Sequence, residues 1–169
     1  MLTKPKIILF DLDDTLLPTE SLREHRHSKH IIDLIQYEEF RQITPYTGML
    51  ASLIELSTKI RIGMVTSSPK WYVNQILNHY FSNIQFSPLV TYNDVCELKP
   101  HPEPLLLALQ LAEVTVIDTI YVGNAMEDFL ACTAAKIPFV GAGWSCLRTY
   151  PNTHCLELIN PQNLHQLLI

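Results

Sequence analysis

Several features that would assign a protein to a class at once are missing from this sequence. No run of about 18 apolar residues is present, which excludes a membrane-spanning helix. The four cysteines form neither a CxxC pair nor a zinc-ligand spacing, so we expect reduced thiols in a cytoplasmic protein. Repeats, low-complexity tracts and the apolar core of a signal peptide are also lacking, and a length of 169 residues then predicts one domain over 1–169.

Positive charge is scarce as well. There are 12 Lys and Arg residues against 17 Asp and Glu, which gives a formal net charge of −5 at pH 7. Because proteins bind nucleic acids mainly through basic surfaces, this balance argues against nucleic acid as a partner.

What the sequence does contain is a regular alternation of strand and helix patterns. Continuous apolar runs predict strands at 6–10, in IRIGMV, near 89–92, in TIYVG and in IPFVG. Helical patterns follow in MLASLIELSTK, SSPKWYVNQILNHYF, PEPLLLALQLAEV, MEDFLACTAAK and NPQNLHQLL, and the polar stretch 20–41 is predicted to be helical too. This alternation predicts an α/β fold, in which helices cover both faces of a parallel sheet and ligands bind at the carboxyl ends of the strands.

Three carboxylates, those of Asp11, Asp13 and Asp14, follow the first predicted strand directly. Carboxylates repel one another, and they are costly to hold near an apolar core. Two of them at i and i+2 suit a shared Mg²⁺, with one acting as a nucleophile and the other transferring a proton. The alternative is a polar turn, a structural role that fits Asp14 best.

Polar groups also follow later strands of the predicted sheet. The sequence TSS after IRIGMV offers hydroxyls and backbone N–H groups to an anion, although Ser68 before Pro69 equally fits a helix N-cap. A lysine in LKPHPEP would ordinarily be a solvated surface residue. The polar segment GNAMED follows the strand TIYV in the same way. The further candidate site residues in these three segments are Thr66, Ser67, Lys99, Asn124 and Asp128.

The order of these motifs resembles the haloacid dehalogenase-like hydrolase superfamily. Asp-x-Asp-x-Thr comes first, then a hydroxyl after a strand, Lys-Pro, and Gly-Asn-x-x-x-Asp, so that the resemblance runs from about residue 7 to about residue 143. It implies a Rossmann-like three-layer sandwich and a Mg²⁺-dependent phosphatase that forms an aspartyl-phosphate.

The resemblance also implies a role for each candidate residue. Asp11 is expected to be the nucleophile and Asp13 the general acid/base that marks the phosphatase branch. Thr66 and Ser67 would bind phosphoryl oxygens, while Lys99 would hold the nucleophile and offset the transition-state charge. The metal ligands implied are Asp11, Asp13 through its backbone carbonyl, Asn124 and Asp128.

One position departs from this pattern. Asn124 stands where the superfamily usually has an aspartate metal ligand, and a neutral amide should bind Mg²⁺ more weakly. We therefore keep a second hypothesis, a non-catalytic phosphate-binding or regulatory module. A third is a phosphomutase, which requires a site that excludes water.

The segment between the first two motifs is short. Residues 18–45 leave room for only a short helical insert in the cap position, which predicts an open site or one closed by another subunit. Such a site suits a phosphorylated small molecule or a phosphorylated macromolecule. The basic stretch REHRHSKH within the insert is predicted to be a solvated helix face, and Trp71 is predicted to pack in the core.

Overall fold

A computed structural model describes residues 4–28, 30–151 and 155–168 of the chain. Its six parallel strands are β1 (Ile7–Phe10), β2 (Arg61–Val65), β3 (Leu89–Val90), β4 (Thr119–Gly123), β5 (Phe139–Ala142) and β6 (Leu156–Leu158). The α-helices are α1 (Arg23–Arg26), α2 (Glu38–Gln42), α3 (Met49–Ser57), α4 (Lys70–Tyr80), α5 (Glu103–Ala112) and α6 (Met126–Ala135). Short 3₁₀ helices cover Glu20–Leu22, Leu34–Gln36, Tyr92–Asp94, Val116–Asp118 and Pro161–Leu168.

The central strand β1 is apolar throughout because both faces of the sheet are covered. Ile8 and Phe10 belong to a core shared with residues of α3 and α4. Ile7 and Leu9 belong to a second core, formed with α5 and α6. Successive side chains of a strand point to opposite faces, so this division places one helical layer on each side of the sheet. The predicted α/β three-layer sandwich is confirmed.

The strand order β3–β2–β1–β4–β5–β6 determines where a ligand site can form. From β1 the chain proceeds outward to β3 on one side and then continues from β4 to β6 on the other. This reversal opens a crevice beyond the carboxyl ends of β1 and its neighbours. The backbone N–H of Asp11 donates to the carbonyl of Val122 at 2.9 Å, which holds the segment after β1 beside the end of β4.

The prediction of a helix over 20–41 is wrong, because the structure divides this stretch into two short α-helices and two 3₁₀ turns. Side chains of α4 satisfy backbone groups that a continuous helix would have used internally. The Gln75 amide accepts from the N–H of Leu34 at 2.7 Å and donates to the carbonyl of Ile32 at 2.8 Å. Leu34 and Phe40 are buried, whereas Ile31 is 77% exposed.

Two smaller predictions also differ from the structure, and one strand was missed. Pro69 occupies the N-cap of α4, and the N–H of Lys70 donates to Asn93 Oδ1 at 2.8 Å, so Ser68 is not the cap. The segment that closes the described chain is a 3₁₀ rather than an α-helix. The edge strand β6 was not predicted, since three residues are too few for a clear pattern.

None of the helices in the described ranges has the length and apolarity that a bilayer crossing requires.

Candidate active site

The carboxyl ends of three adjacent strands bring the candidate residues to one crevice. Asp11 directly follows β1, Thr66 follows β2 and Asn124 follows β4. All three line a cavity of about 850 Å³, together with Asp13, Ser67 and Lys99. The structure thus assembles side chains that lie more than a hundred positions apart in the chain.

Lys99 is a buried cation between two carboxylates. Its Nζ lies 2.7 Å from Asp11 Oδ1 and 2.6 Å from Asp128 Oδ1, and only 4% of its side chain is exposed. Burial lowers the pKa of Lys99, but the charges of Asp11 and Asp128 outweigh this effect and raise the pKa above its ordinary value. The lysine is therefore protonated and fixes the position of Asp11.

The charge of Asp11 is only partly compensated. Burial raises the pKa of Asp11 to about 7, Lys99 opposes that rise, and Asp128 and Asp13 add to it. A second cation near this carboxylate would therefore be favourable, and it would return the group to its ionised form.

Tyr121 connects the core to the site. Its hydroxyl donates to the carbonyl of Val65 at 2.9 Å and accepts from Lys99 at 2.8 Å. It also lies 3.1 Å from Asp128 Oδ1. Sequence analysis missed this residue, although a tyrosine within the apolar strand TIYVG is a signal, because a buried hydroxyl needs a partner.

Both carboxylate oxygens of Asp128 have hydrogen-bond donors. Oδ1 accepts from Lys99 at 2.6 Å, and Oδ2 accepts from the N–H of Ala125 at 3.1 Å, at the start of α6. This arrangement favours a role for Asp128 in positioning Lys99. Its role as a metal ligand stays a prediction.

Thr15 links Asp11 to Asn124. Its hydroxyl lies 3.2 Å from Asp11 Oδ2 and 3.0 Å from Asn124 Oδ1, and it can donate its one proton to only one of them at a time. The Thr15 carbonyl accepts from the indole N–H of Trp144 at 2.8 Å, which fixes this turn of the chain. Asp11 Oδ2, just after β1, and Asn124 Oδ1, just after β4, thus lie close to the same hydroxyl group.

Asp13 is surrounded by donors. Its Oδ1 accepts from Arg26 at 2.7 Å, from Tyr72 at 2.9 Å and from Thr19 at 2.8 Å, and its Oδ2 accepts from the Ser68 hydroxyl. The prediction of a purely solvated basic segment is wrong at Arg26, whose side chain is only 14% exposed. The sequence spacing of Asp13 and Arg26 does not indicate that the two side chains form an ion pair.

The other residues of the two motifs have simpler surroundings. Asp14 adopts a left-handed backbone conformation, with φ 59°, and accepts from the N–H of Thr19 at 2.9 Å, which confirms its structural role. The Thr66 hydroxyl accepts from the N–H of Ser68 at 3.1 Å, and Ser67 lines the cavity. Binding of phosphoryl oxygens by Thr66 and Ser67 stays a prediction.

The donors at this edge of the sheet suit Mg²⁺, a hard cation that prefers oxygen ligands. Within the described residues, no three His, Cys, Asp or Glu side chains converge on one point. A cation would therefore be held by the Asp11 carboxylate and neutral oxygens, of which the Asn124 amide is one. The carboxylates of Asp11, Asp13 and Asp128 outnumber the cations Lys99 and Arg26 by one, so the charge of the cluster also favours a cation.

Fold and site together define a three-layer α/β protein with an acidic, lysine-bridged crevice at the carboxyl edge of its sheet. The chain belongs to the haloacid dehalogenase-like hydrolase family, whose model matches residues 23–142. The matched segment contains Thr66, Lys99, Asn124 and Asp128 and begins after the first acidic motif. The resemblance inferred from the motifs is confirmed.

Curated relatives carry the names of phosphatases. Phosphoglycolate phosphatase of Yersinia pestis is 29% identical over 124 residues, which are 73% of this chain and 50% of that protein. Pyrophosphatase PpaX of Oceanobacillus iheyensis is 25% identical over 180 aligned residues, covering 83% of this chain and 84% of that protein. The chain thus spans about half the length of the Yersinia relative.

Solved structures share the fold over nearly the whole chain. A putative phosphoglycolate phosphatase from Lactobacillus plantarum superposes with a TM-score of 0.78 at 18% identity, covering 98% of this chain and 100% of that one. CbbY from Rhodobacter sphaeroides, determined in complex with phosphate, gives a TM-score of 0.71 at 18% identity, with 97% and 99% covered. At these identities the likeness establishes the fold.

Proposed function

We propose that this protein is a Mg²⁺-dependent phosphatase that hydrolyses a phosphomonoester through an aspartyl-phosphate on Asp11. The observation that carries the proposal is the buried Lys99 ammonium, which lies within 2.7 Å of both Asp11 and Asp128 at the end of the central strand. Family membership and the phosphatase names of curated relatives support it. The substrate we propose is a phosphorylated small molecule, and the cysteine pattern supports a cytoplasmic location.

The first half of the reaction forms a bond between Asp11 and phosphorus. A carboxylate oxygen of Asp11 attacks the phosphoryl group and the ester P–O bond breaks. Asp13, which takes up a proton from solvent once it has left Arg26, gives that proton to the leaving alcohol oxygen. Asp13 must first exchange its contact with Arg26 for the leaving group. Lys99, Thr66 and Ser67 offset and orient the charge on the phosphoryl oxygens.

The second half of the reaction regenerates the enzyme. Asp13 takes a proton from water, the resulting hydroxide attacks phosphorus, and the bond to Asp11 breaks to release inorganic phosphate. We assign Asp11, Asn124 and the backbone carbonyl of Asp13 as ligands of Mg²⁺. When bound, the ion acts as a Lewis acid that neutralises phosphoryl charge.

Hydrolysis of p-nitrophenyl phosphate with Mg²⁺ tests the proposal. Asp11→Asn should abolish turnover, because the amide cannot supply the carboxylate oxygen that we propose forms the covalent intermediate. Asp14→Asn is a matched control, since asparagine tolerates the left-handed conformation and can still accept from Thr19. Retained turnover in Asp11→Asn would rule out Asp11 as the nucleophile.

One observation favours the second candidate function, a non-catalytic phosphate-binding module. Asn124 replaces a carboxylate, and its Oδ1 already contacts the Thr15 hydroxyl at 3.0 Å. Such a module would bind phosphate without hydrolysing any ester, with or without Mg²⁺. Phosphate binding measured by calorimetry, beside a screen of phosphate esters, distinguishes the two functions.

A further inference from the structure

The outer wall of the active-site cavity differs in character from its floor. Charged and hydroxyl side chains form the floor, as described above. Ile31, Trp71 and Tyr92 line the same cavity further out. Ile31 is 77% exposed and Tyr92 is 52% exposed, so apolar surface at the mouth of the site faces water.

The two aromatic residues stand on fixed backbone. Trp71 lies in the first turn of α4, is half-buried against the core, and makes an edge contact with the Tyr72 ring at 6.0 Å between centroids. The N–H of Tyr92 donates to the carbonyl of Ser68 at 3.0 Å. Together with the bond from Lys70 to Asn93, this contact ties the Tyr92 turn to the start of α4.

Rigid aromatic side chains beside a phosphoryl site are a means of recognition. A phosphoryl group alone would occupy only part of a cavity of about 850 Å³. Exposed apolar surface next to a polar floor is typical of ligand sites, in which a few polar groups orient the ligand and aromatic side chains cover its body. Flat rings stack on Trp and Tyr regardless of the detailed substituents of the ring.

We propose that the substrate's leaving group carries a flat aromatic ring, which packs on the surface formed by Ile31, Trp71 and Tyr92. The inference rests on the proposed function, because it assumes that the phosphoryl group lies at Asp11. A nucleoside and a simple aryl group are the two sources of such a ring. A small aliphatic leaving group such as glycolate would leave this surface uncovered.

Paired substrates that differ only in the ring test the inference. Adenosine 5′-monophosphate is compared with ribose 5-phosphate, and 2-phenylethyl phosphate with ethyl phosphate, by kcat/KM in the presence of Mg²⁺, so that the leaving group of both members of a pair is an aliphatic alcohol of similar acidity. We expect the ring to raise kcat/KM in at least one pair by about fivefold to a hundredfold, which is the range for one stacked base. The pair that discriminates identifies the source of the ring.

Variants locate the effect at the proposed surface. Tyr92→Ala should lower the ratio of kcat/KM between the two members of the discriminating pair, whereas Tyr92→Phe should keep it, because the ring remains. Trp71→Ala should act like Tyr92→Ala, and the exposure of Tyr92 keeps the test valid even if the Trp71 variant fails to fold. Leu111→Ala, at an exposed position of α5 outside this cavity, is the control and should leave the ratio unchanged.

Binding to the Asp11→Asn variant separates this inference from the proposed function. Suppose that the wild type hydrolyses none of these substrates, whereas calorimetry shows that Asp11→Asn binds a ring-bearing phosphate more tightly than its ringless partner. In that case the phosphatase proposal fails and the aromatic subsite stands. Equal kcat/KM values and equal affinities within both pairs would overturn the subsite and leave the phosphatase. A ratio that Tyr92→Ala does not change would also overturn it.

Discussion

The guanidinium of Arg26 lies 2.7 Å from the carboxylate of Asp13, and the two side chains are only 14% and 12% exposed. The contact joins the short insert to the acidic motif, since Arg26 is in α1 and Asp13 lies just beyond β1. Three hydroxyl groups complete the surroundings of the carboxylate, so its charge is compensated while little water reaches it.

Removing Arg26 should destabilise the fold. Arg26→Met preserves the aliphatic part of the side chain but leaves the Asp13 carboxylate buried without its cation. This change should lower the free energy of unfolding by about 2–4 kcal/mol. Urea unfolding of the metal-free protein measures this cost. Lys59→Met is the control, because the Lys59–Glu55 pair is exposed to solvent and should contribute little to the free energy of unfolding.

A double-mutant cycle assigns that cost to the pair. In an Asp13→Asn background the Arg26 guanidinium has already lost its anionic partner, so Arg26→Met breaks no ion pair there and should cost much less than in the wild type. Equal costs in the two backgrounds would show that Arg26 contributes through packing alone.

The raised pKa of Asp11 predicts how stability depends on pH. The folded-state pKa of about 7 exceeds the ordinary value of 3.8, so between these values the folded protein holds a proton that the unfolded chain has lost. The stabilisation is complete below pH 3.8 and is lost as pH rises through 7, by up to a few kcal/mol in the absence of a divalent cation. Asp11→Asn has no such proton, so its melting temperature relative to wild type should rise between pH 5 and pH 8.

Thermal unfolding in a chelator at both pH values checks this effect. Glu127→Gln removes an exposed carboxylate that lines the same cavity, and it should keep the pH dependence of the wild type. A constant difference between Asp11→Asn and wild type across this range would mean that Asp11 is ionised throughout.

Asn124 sets the expected strength of metal binding. Asn124→Asp adds a negative charge beside Asp11, which should tighten Mg²⁺ by about tenfold or more, because a screened contact between charges is worth on the order of 1–4 kcal/mol. The metal-free variant should be less stable than wild type, since the new carboxylate repels Asp11. Calorimetric titration with Mg²⁺ measures the affinity, and equal or weaker binding would show that Asn124 does not face the metal.

Tyr121 helps to position Lys99 through its hydroxyl group. Tyr121→Phe removes the hydroxyl that accepts from Lys99 and donates to the Val65 carbonyl, while the ring stays in the core. We expect kcat to fall by roughly fivefold to tenfold with little change in KM, since one hydrogen bond is worth about 1 kcal/mol. An unchanged kcat would mean that the two carboxylates alone position the lysine.

The sequence predicted the parts of the site that follow from sheet geometry. Asp11, Thr66 and Asn124 each come just after a strand, and the ends of parallel strands meet at one edge, so their proximity was foreseeable. Lys99 lies on a loop, whose path no local pattern specifies, and only the family resemblance indicated it. The structure then supplied its partners.

Long-range contacts could not be predicted in this way. Whether Arg26 reaches Asp13 depends on the path of the insert, and whether Tyr72 does so depends on the rotation of α4 about its axis. Neither is determined by local propensity. The same limit explains the error over 20–41, where local pattern favoured a helix but contacts with α4 competed for the backbone.

The contact between Gln75 and the insert has a consequence for the timing of turnover. The Gln75 side-chain amide pairs with the backbone of residues 32 and 34 as a neighbouring strand would, and Tyr80 adds a bond to the carbonyl of Phe40. These bonds tie the insert to α4. We therefore expect the two to move together, and the insert should not open and close over the cavity during each catalytic cycle. Substrate entry and product release would then require no opening of this segment, a motion that limits kcat in many enzymes with mobile lids.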